Sequence, residues 1–332
     1  MRCAILLLLV SCFPVSSLAQ AWLSAQGDGT VSVLYQYGID RLHSFDDGRT
    51  KDKGHIFSDA VLVNTDFSFT DRLAVSVGLP FIAAQYVGGS PHLLVRGDPS
   101  TAVAVDNGDF HGGFQDFTLN VRYAVTKRRA LKIAPLFQVT VPSHQYPSFG
   151  HASIGLDEKE YRVGVNVGRR LDPILPRAFV QAQYAFGMSP EIAAGVAPKR
   201  SYGELQLGYL LNRHISFEGS TVIIYSHNGI LSDYNLFPNN LTVDQYLNHD
   251  RIAKVTLVDA GVSIGYQLNR STNFFVSVGH SYYGTNTHLR FLVTTVGFTK
   301  AFSTRLSAEN SAANAVLQDS RKAVVCTCAK SK

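Results

Sequence analysis

The sequence predicts an all-β chain, a closed antiparallel transmembrane β-barrel of about 12 strands with short periplasmic turns and long outer loops. Three observations predict it. Apolar and polar residues alternate with period two through 30–302. The alternating segments run 10–15 residues, where a soluble strand has about 5–6 and a tilted membrane strand needs about 9–11. The connections alternate between short and long, as they do in outer-membrane barrels.

Composition fits this class. The 332 residues are 45% hydrophobic and only 17% charged, with 27 Gly, 20 Phe and 15 Tyr. So many aromatic and apolar residues exclude disorder, and four Cys cannot staple a chain of this length. The net charge of +5 is spread evenly, which excludes a nucleic-acid binder. The longest basic run, Lys127-Arg128-Arg129, is either a solvated turn or a contact with anionic lipid.

Residues 1–21 read as a signal peptide. Arg2 is the basic start, Ala4–Val10 the apolar core, and Ala19-Gln20-Ala21 a cleavage site before Trp22. A lipoprotein signal ending at Cys12 is the alternative. No stretch reaches 18 apolar residues, so export leads either to a soluble fold or to a barrel.

Twelve strands are expected near 30–40, 55–70, 73–87, 113–126, 130–142, 159–171, 178–188, 201–212, 214–226, 253–268, 272–284 and 288–302. Residues 116–125 show the reason. Phe117, Leu119, Val121, Tyr123 and Val125 share one face, and Asp116, Thr118, Asn120, Arg122 and Ala124 the other. In 201–212, Leu205, Leu207, Tyr209 and Leu211 oppose Glu204, Gln206 and Gly208. Pro80 and Pro135 fall inside strands and cannot donate to a ladder, so bulges are expected there. Long loops are expected near 41–54, 88–112, 143–158, 189–200 and 227–252, and the second of these is long enough to enter the lumen. The domains are therefore a signal peptide 1–21, a barrel 22–302 and a flexible periplasmic tail 303–332.

A membrane requires closure. Each unpaired backbone N–H or C=O in hydrocarbon costs several kcal/mol, so an open sheet edge is not tolerated. One side-chain row then faces lipid and the other the lumen. The expected lumen-lining charges are Asp116, Arg122, Lys132, Glu160, Arg162, Arg170, Glu204, Glu218 and Asp259. With both signs present they could form a transverse field for polar solutes or a salt-bridged plug.

Thr295–Phe302 resembles the terminal signal by which outer-membrane barrels engage their assembly machinery, although Lys300 stands where an apolar residue is preferred. Gly113-Phe114-Gln115-Asp116 with Leu119 and Tyr123, Gly78-Leu79-Pro80-Phe81, and Val139-Thr140-Val141-Pro142-Ser143 resemble motifs of the phenol-degradation MetA-pathway family. The resemblance covers roughly 55–300. It implies an outer-membrane barrel that passes small, often hydrophobic or aromatic compounds, and it brings no catalytic residues.

There is no Walker loop, G-x-S-x-G elbow, H-E-x-x-H or CxxC pair. Ser226-His227 resembles the Ser/His pairs of outer-membrane lipid hydrolases. However, Glu218 is eight strand residues away, roughly 26 Å, and cannot complete a triad from the same strand. Ten of the eleven His fall in or beside outer loops, either as a ligand rim or as ordinary loop residues. Cys326-Thr327-Cys328 lacks the further ligands a metal needs. No cofactor is expected. The expected partners are outer-membrane lipid and lipopolysaccharide, the assembly machinery and a small-molecule solute, with no nucleic acid. The leading function is an outer-membrane channel. The alternatives are a lipid hydrolase, or a structural or adhesive barrel that binds a partner through its outer loops.

Overall fold

A computed structural model describes residues 21–88, 104–126, 130–237 and 239–305. The leader 1–20, the run Lys127–Arg129 and the tail from 306, with Cys326 and Cys328, lie outside the described residues, as does 89–103 of the second long loop.

The strands are β1 (Asp28–Ser44), β2 (Thr50–Ser68), β3 (Leu73–Val87), β4 (His111–Phe114), β5 (Asp116–Tyr123), β6 (Leu131–Pro142), β7 (Glu160–Arg170), β8 (Ala178–Met188), β9 (Lys199–Leu210), β10 (Ile215–Ser226), β11 (Thr256–Asn269), β12 (Thr272–Thr285) and β13 (Thr287–Ser303). All ladders are antiparallel, and apart from β4 and β5, which do not pair with each other, each strand pairs with its sequence neighbours. β4 and β5 are two parts of one wall position separated by Gln115, and both pair with β3. The wall thus has twelve positions. β1 pairs with β13 from Asp28↔Ser303 to Ser44↔Thr287, which closes the sheet and leaves no edge.

The residues dictate this arrangement locally. At the turn end of the barrel, polar side chains close tight reversals. Thr70 Oγ1 accepts from the N–H groups of Arg72 and Leu73 at 3.1 and 2.9 Å. Asn212 Oδ1 does the same for His214 and Ile215 at 2.8 and 2.9 Å, as side-chain mimics of a backbone turn. Along the strands the outward row is apolar, and no other described residue covers it. Leu207 is 54% exposed and Ile264 53%. Exposed aromatics stand towards both ends of the wall, with Tyr123, Tyr209, Tyr266 and Phe302 at the turn end and Tyr161, Tyr225, Tyr282 and Tyr283 at the loop end. An apolar band between aromatic girdles is the surface of a barrel solvated by lipid.

Two expectations need correction. The first connection is not a long loop over 41–54. β1 and β2 stay paired to Ser44↔Thr50, leaving only 45–49 as the turn. Between Asp40↔Ile56 and Leu42↔Asp52 the register slips, and the excess residues lie on β2. Gly54 takes a φ of +106° there, and a Cβ on it would sit 2.6–2.8 Å from the Tyr86 ring. The slip is a glycine-dependent irregularity within a ladder that continues beyond it.

The proline bulges are half as expected. Opposite Pro80 the extra residue lies on the partner wall position, at Gln115, whose N–H donates to the Pro80 carbonyl at 3.0 Å. Pro135 causes no bulge. It keeps register with Val165 of β7, and the β5–β6 ladder stops at Arg122↔Leu136, so the missing donor falls at the ladder's end. The short closing connection is the single residue Asn286, at φ 52°, a conformation that Asn tolerates better than most residues.

The described parts of the remaining long loops fold over the loop-end mouth. Residues 227–255 carry α1 (Val243–Leu247), held by a Thr242/Gln245 capping box, and α2 (His249–Ile252). Ile230, Leu241, Tyr246 and Ile252 form a buried apolar cluster, against which Phe149 and Ile192 of the neighbouring loops pack. A second cluster joins Ala84 and Tyr86 of β3 to Val105 and Ala152. No described helix is long and apolar enough to cross a membrane, which is expected where strands do the crossing.

Candidate functional site: the lumen

The inward row builds the lumen. In the turn half it encloses a cavity of about 270 Å³. Its wall is mostly hydroxyl and amide, including Ser32, Asn64, Ser76, Asn120, Gln138, Gln206, Ser216, Ser220, Ser263 and Ser277. Three lining residues carry charge: Asp66, Arg122 and Glu218.

Arg122 and Asp66 satisfy each other. Arg122 is 1% exposed, and its guanidinium donates to the Asp66 carboxylate and to Ser76 Oγ at 3.2 Å. Ser76 in turn donates to Asp66 at 2.6 Å. The three stand on β5, β2 and β3, so this network ties adjacent wall positions as well as lining the cavity.

A second network lies nearer the loop end. Arg200 donates to Glu158 and lies 3.6 Å from Glu160. Glu160 also accepts from Arg162 and, at 2.7 Å, from the Tyr202 hydroxyl. The Arg162 guanidinium covers the Tyr202 ring at 3.6 Å. Arg200 donates on to the Arg251 carbonyl at 2.7 Å, and Arg251 donates to the Asp157 carbonyl at 2.6 Å. The wall charges therefore hold the two capping loops. Burial raises the Glu158 carboxyl above the usual carboxylate range, with Arg200 opposing it. Tyr146 is raised too, by burial and by its hydrogen bond to Asp116.

The nine expected lumen charges fall as follows. Arg122 and Glu218 line the turn-half cavity. Glu160 and Arg162 meet directly. Buried Asp259 accepts from Arg290 at 3.2 Å and from Ser281 at 2.8 Å. Asp116 accepts from Tyr146. Glu204 is buried and accepts from Gln206 at 2.7 Å, while Gln206 accepts from Gln181. Lys132 is half-buried near the turn end of β6. Arg170 is exposed at the turn mouth, donating to Asp172 at 2.8 Å. The structure thus divides the nine among separate networks.

Sequence reasoning missed Asp66, Glu158 and Arg200. The last two carry a signal, because Glu158 extends the inward parity of Glu160/Arg162 by one step and Arg200 that of Glu204/Gln206 by two. It also missed Trp22. The segment at 21–22 enters the lumen, where the Ala21 N–H donates to Gln181 at 3.4 Å and Trp22 meets Phe179 edge-on at 5.8 Å. Gly168 makes room, since a Cβ there would lie 2.8 Å from the Trp22 ring.

The hydrolase and metal alternatives can be placed as well. Ser226 is buried and does not meet His227. His227 Nε2 meets Ser201 Oγ at 2.8 Å instead. No described residue hydrogen-bonds the other ring nitrogen of His227, so a general base there lacks an orienting partner. At the loop end, His43 and His151 both pack on His288, and His151 Nδ1 lies 3.1 Å from His288 Nε2. Among the described residues no group of three His, Cys, Asp or Glu is placed to hold a metal.

Comparison with solved structures places the architecture. The crystal structure of the COG4313 outer membrane channel from Pseudomonas putida F1 superposes with a TM-score of 0.63 at 11% identity, over 85% of this chain and 98% of that one. The chain has the fold of that channel. More distant are the translocator domain of the autotransporter NalP from Neisseria meningitidis, with a TM-score of 0.47 at 12% identity over 84% and 90% of the two chains, and the NanC porin, with 0.47 at 8% over 81% and 98%. No family model and no curated protein matches the sequence.

Proposed function

We propose that the protein is an outer-membrane channel for small compounds. One observation carries the reading: an edgeless barrel with an apolar outside keeps a polar, solute-sized cavity inside. A barrel serving only as a scaffold has no need of such a void. The likeness to an outer membrane channel supports the same reading. So does the resemblance of 55–300 to the MetA-pathway family, which adds hydrophobic or aromatic solutes as a finer possibility. The hydroxyl and amide wall favours polar ones in the turn half.

On this reading the belt contacts outer-membrane lipid and lipopolysaccharide. Thr295–Phe302 engages the assembly machinery, and removal of the leader 1–21 leaves the Trp22–Phe179 contact to hold the mature chain's start in the lumen. The nine inward charges serve the pathway, with Arg170 at its periplasmic mouth. Proteoliposomes carrying the protein should admit glucose faster than empty vesicles. A folded barrel that admits no small solute overturns the proposal.

A further inference from the structure

We infer that the turn-half cavity is a binding site for a small hydroxylated organic cation, with Glu218 as its counter-ion. The inference names the solute class of the proposed channel and rests on that reading for its biological sense.

The cavity's charges do not balance. Asp66 and Glu218 are two carboxylates against the single guanidinium of Arg122, and that guanidinium is bonded to Asp66. Glu218 makes no hydrogen bond and no ion pair with any described residue. Glu218 is half-buried, and an unpartnered carboxylate in a confined, partly desolvated lumen attracts opposite charge more strongly than one in bulk water, so the site favours a ligand that brings a positive charge.

The surroundings specify the rest of the ligand. On the ladders, Glu218 pairs with Ser263 of β11, and Ser263 with Ser277 of β12. The three therefore stand at one height on successive strands, about 4.8 Å apart. Ser277 lines the cavity and is 3% exposed, and its buried Oγ has no hydrogen-bond partner. Asn120, on the far wall and 5% exposed, lines the cavity too, and its buried Oδ1 is equally unpartnered. Buried polar atoms are normally satisfied. A donor-rich solute that draws these side chains towards the cavity would satisfy them together: an ammonium on Glu218 and hydroxyls on Ser277 and Asn120. A volume of about 270 Å³ lies near the small end of ligand sites. A lone carboxylate also lacks the several oxygen ligands that a bare divalent ion requires.

The test uses three sugars of one size and different charge, glucosamine, glucose and glucuronate, titrated calorimetrically into the detergent-purified full chain. Glucosamine should bind at least tenfold tighter than glucose, and glucuronate weakest. Glu218→Gln should remove that preference, and Glu218→Asp should keep most of it. Equal binding of the three, a preference for glucuronate, or a glucosamine preference that survives Glu218→Gln overturns the inference. Glucose entry into proteoliposomes is read separately. Entry without a glucosamine preference in the titration leaves the channel and removes the site, and the reverse result removes the channel alone.

Discussion

At the scale of single residues, the Arg122–Asp66 pair makes the sharpest claim. Removing one partner leaves the other charge buried and unpaired, which costs about 3–5 kcal/mol. Arg122→Leu should lower the unfolding free energy of the reconstituted barrel, read from its urea titration, by that amount, and adding Asp66→Leu should recover much of it. An unchanged midpoint in the single variant would contradict the pairing. Tyr246 makes a pH claim for the cap. Burial, then Asp250 and Asp106, push its phenol from 10.0 up to about 12. A raised folded value means the neutral phenol is favoured in the fold. Its stabilising share is complete below pH 10 and is lost as pH climbs towards 12. Phenolate absorbance should therefore develop together with rising conductance over that window, and Tyr246→Phe should uncouple the two. The Ser201–His227 pair makes a negative claim: His227→Ala should leave the phospholipid of purified, reconstituted protein no more and no less intact than wild type.

At the scale of elements, two parts narrow the pathway from opposite ends. The Trp22 ring rests on Gly168 inside the lumen, so Trp22→Ala should raise single-channel conductance without moving the unfolding midpoint. The loop 227–255 closes the other mouth, and deleting 233–248 should raise conductance several-fold. If conductance stays the same in both variants, these elements do not limit the path. The strands that frame them were legible where the lumen and the lipid demand opposite chemistries. Leu205, Leu207 and Tyr209 against Glu204 and Gln206 admit only one register. The first connection was not legible, because Thr50, Lys51 and Asp52 pair by backbone alone and show no alternation. Trp22 follows a cleavage signal and belongs to no periodic run, so nothing local marks it as luminal.

For the molecule as a whole, closure was readable before any contact was known. Alternation, strand length and the asymmetry of connections point to one solution in hydrocarbon. Partnership inside the lumen was not readable. Parity along one strand says that Arg122 points inward, but only the ladders across β5, β3 and β2 bring Asp66 to it. In the same way, Glu218 is one acidic residue among several until the fold leaves it alone beside Ser263 and Ser277. The central claim is that lipid covers the outward row and water fills the inward one. Spin labels at Ile264 and Ser263, neighbours on β11, test it in vesicles. The label at 264 should relax with oxygen and ignore a water-soluble nickel chelate, and the label at 263 should do the reverse. Equal access of the chelate to both positions would contradict the account.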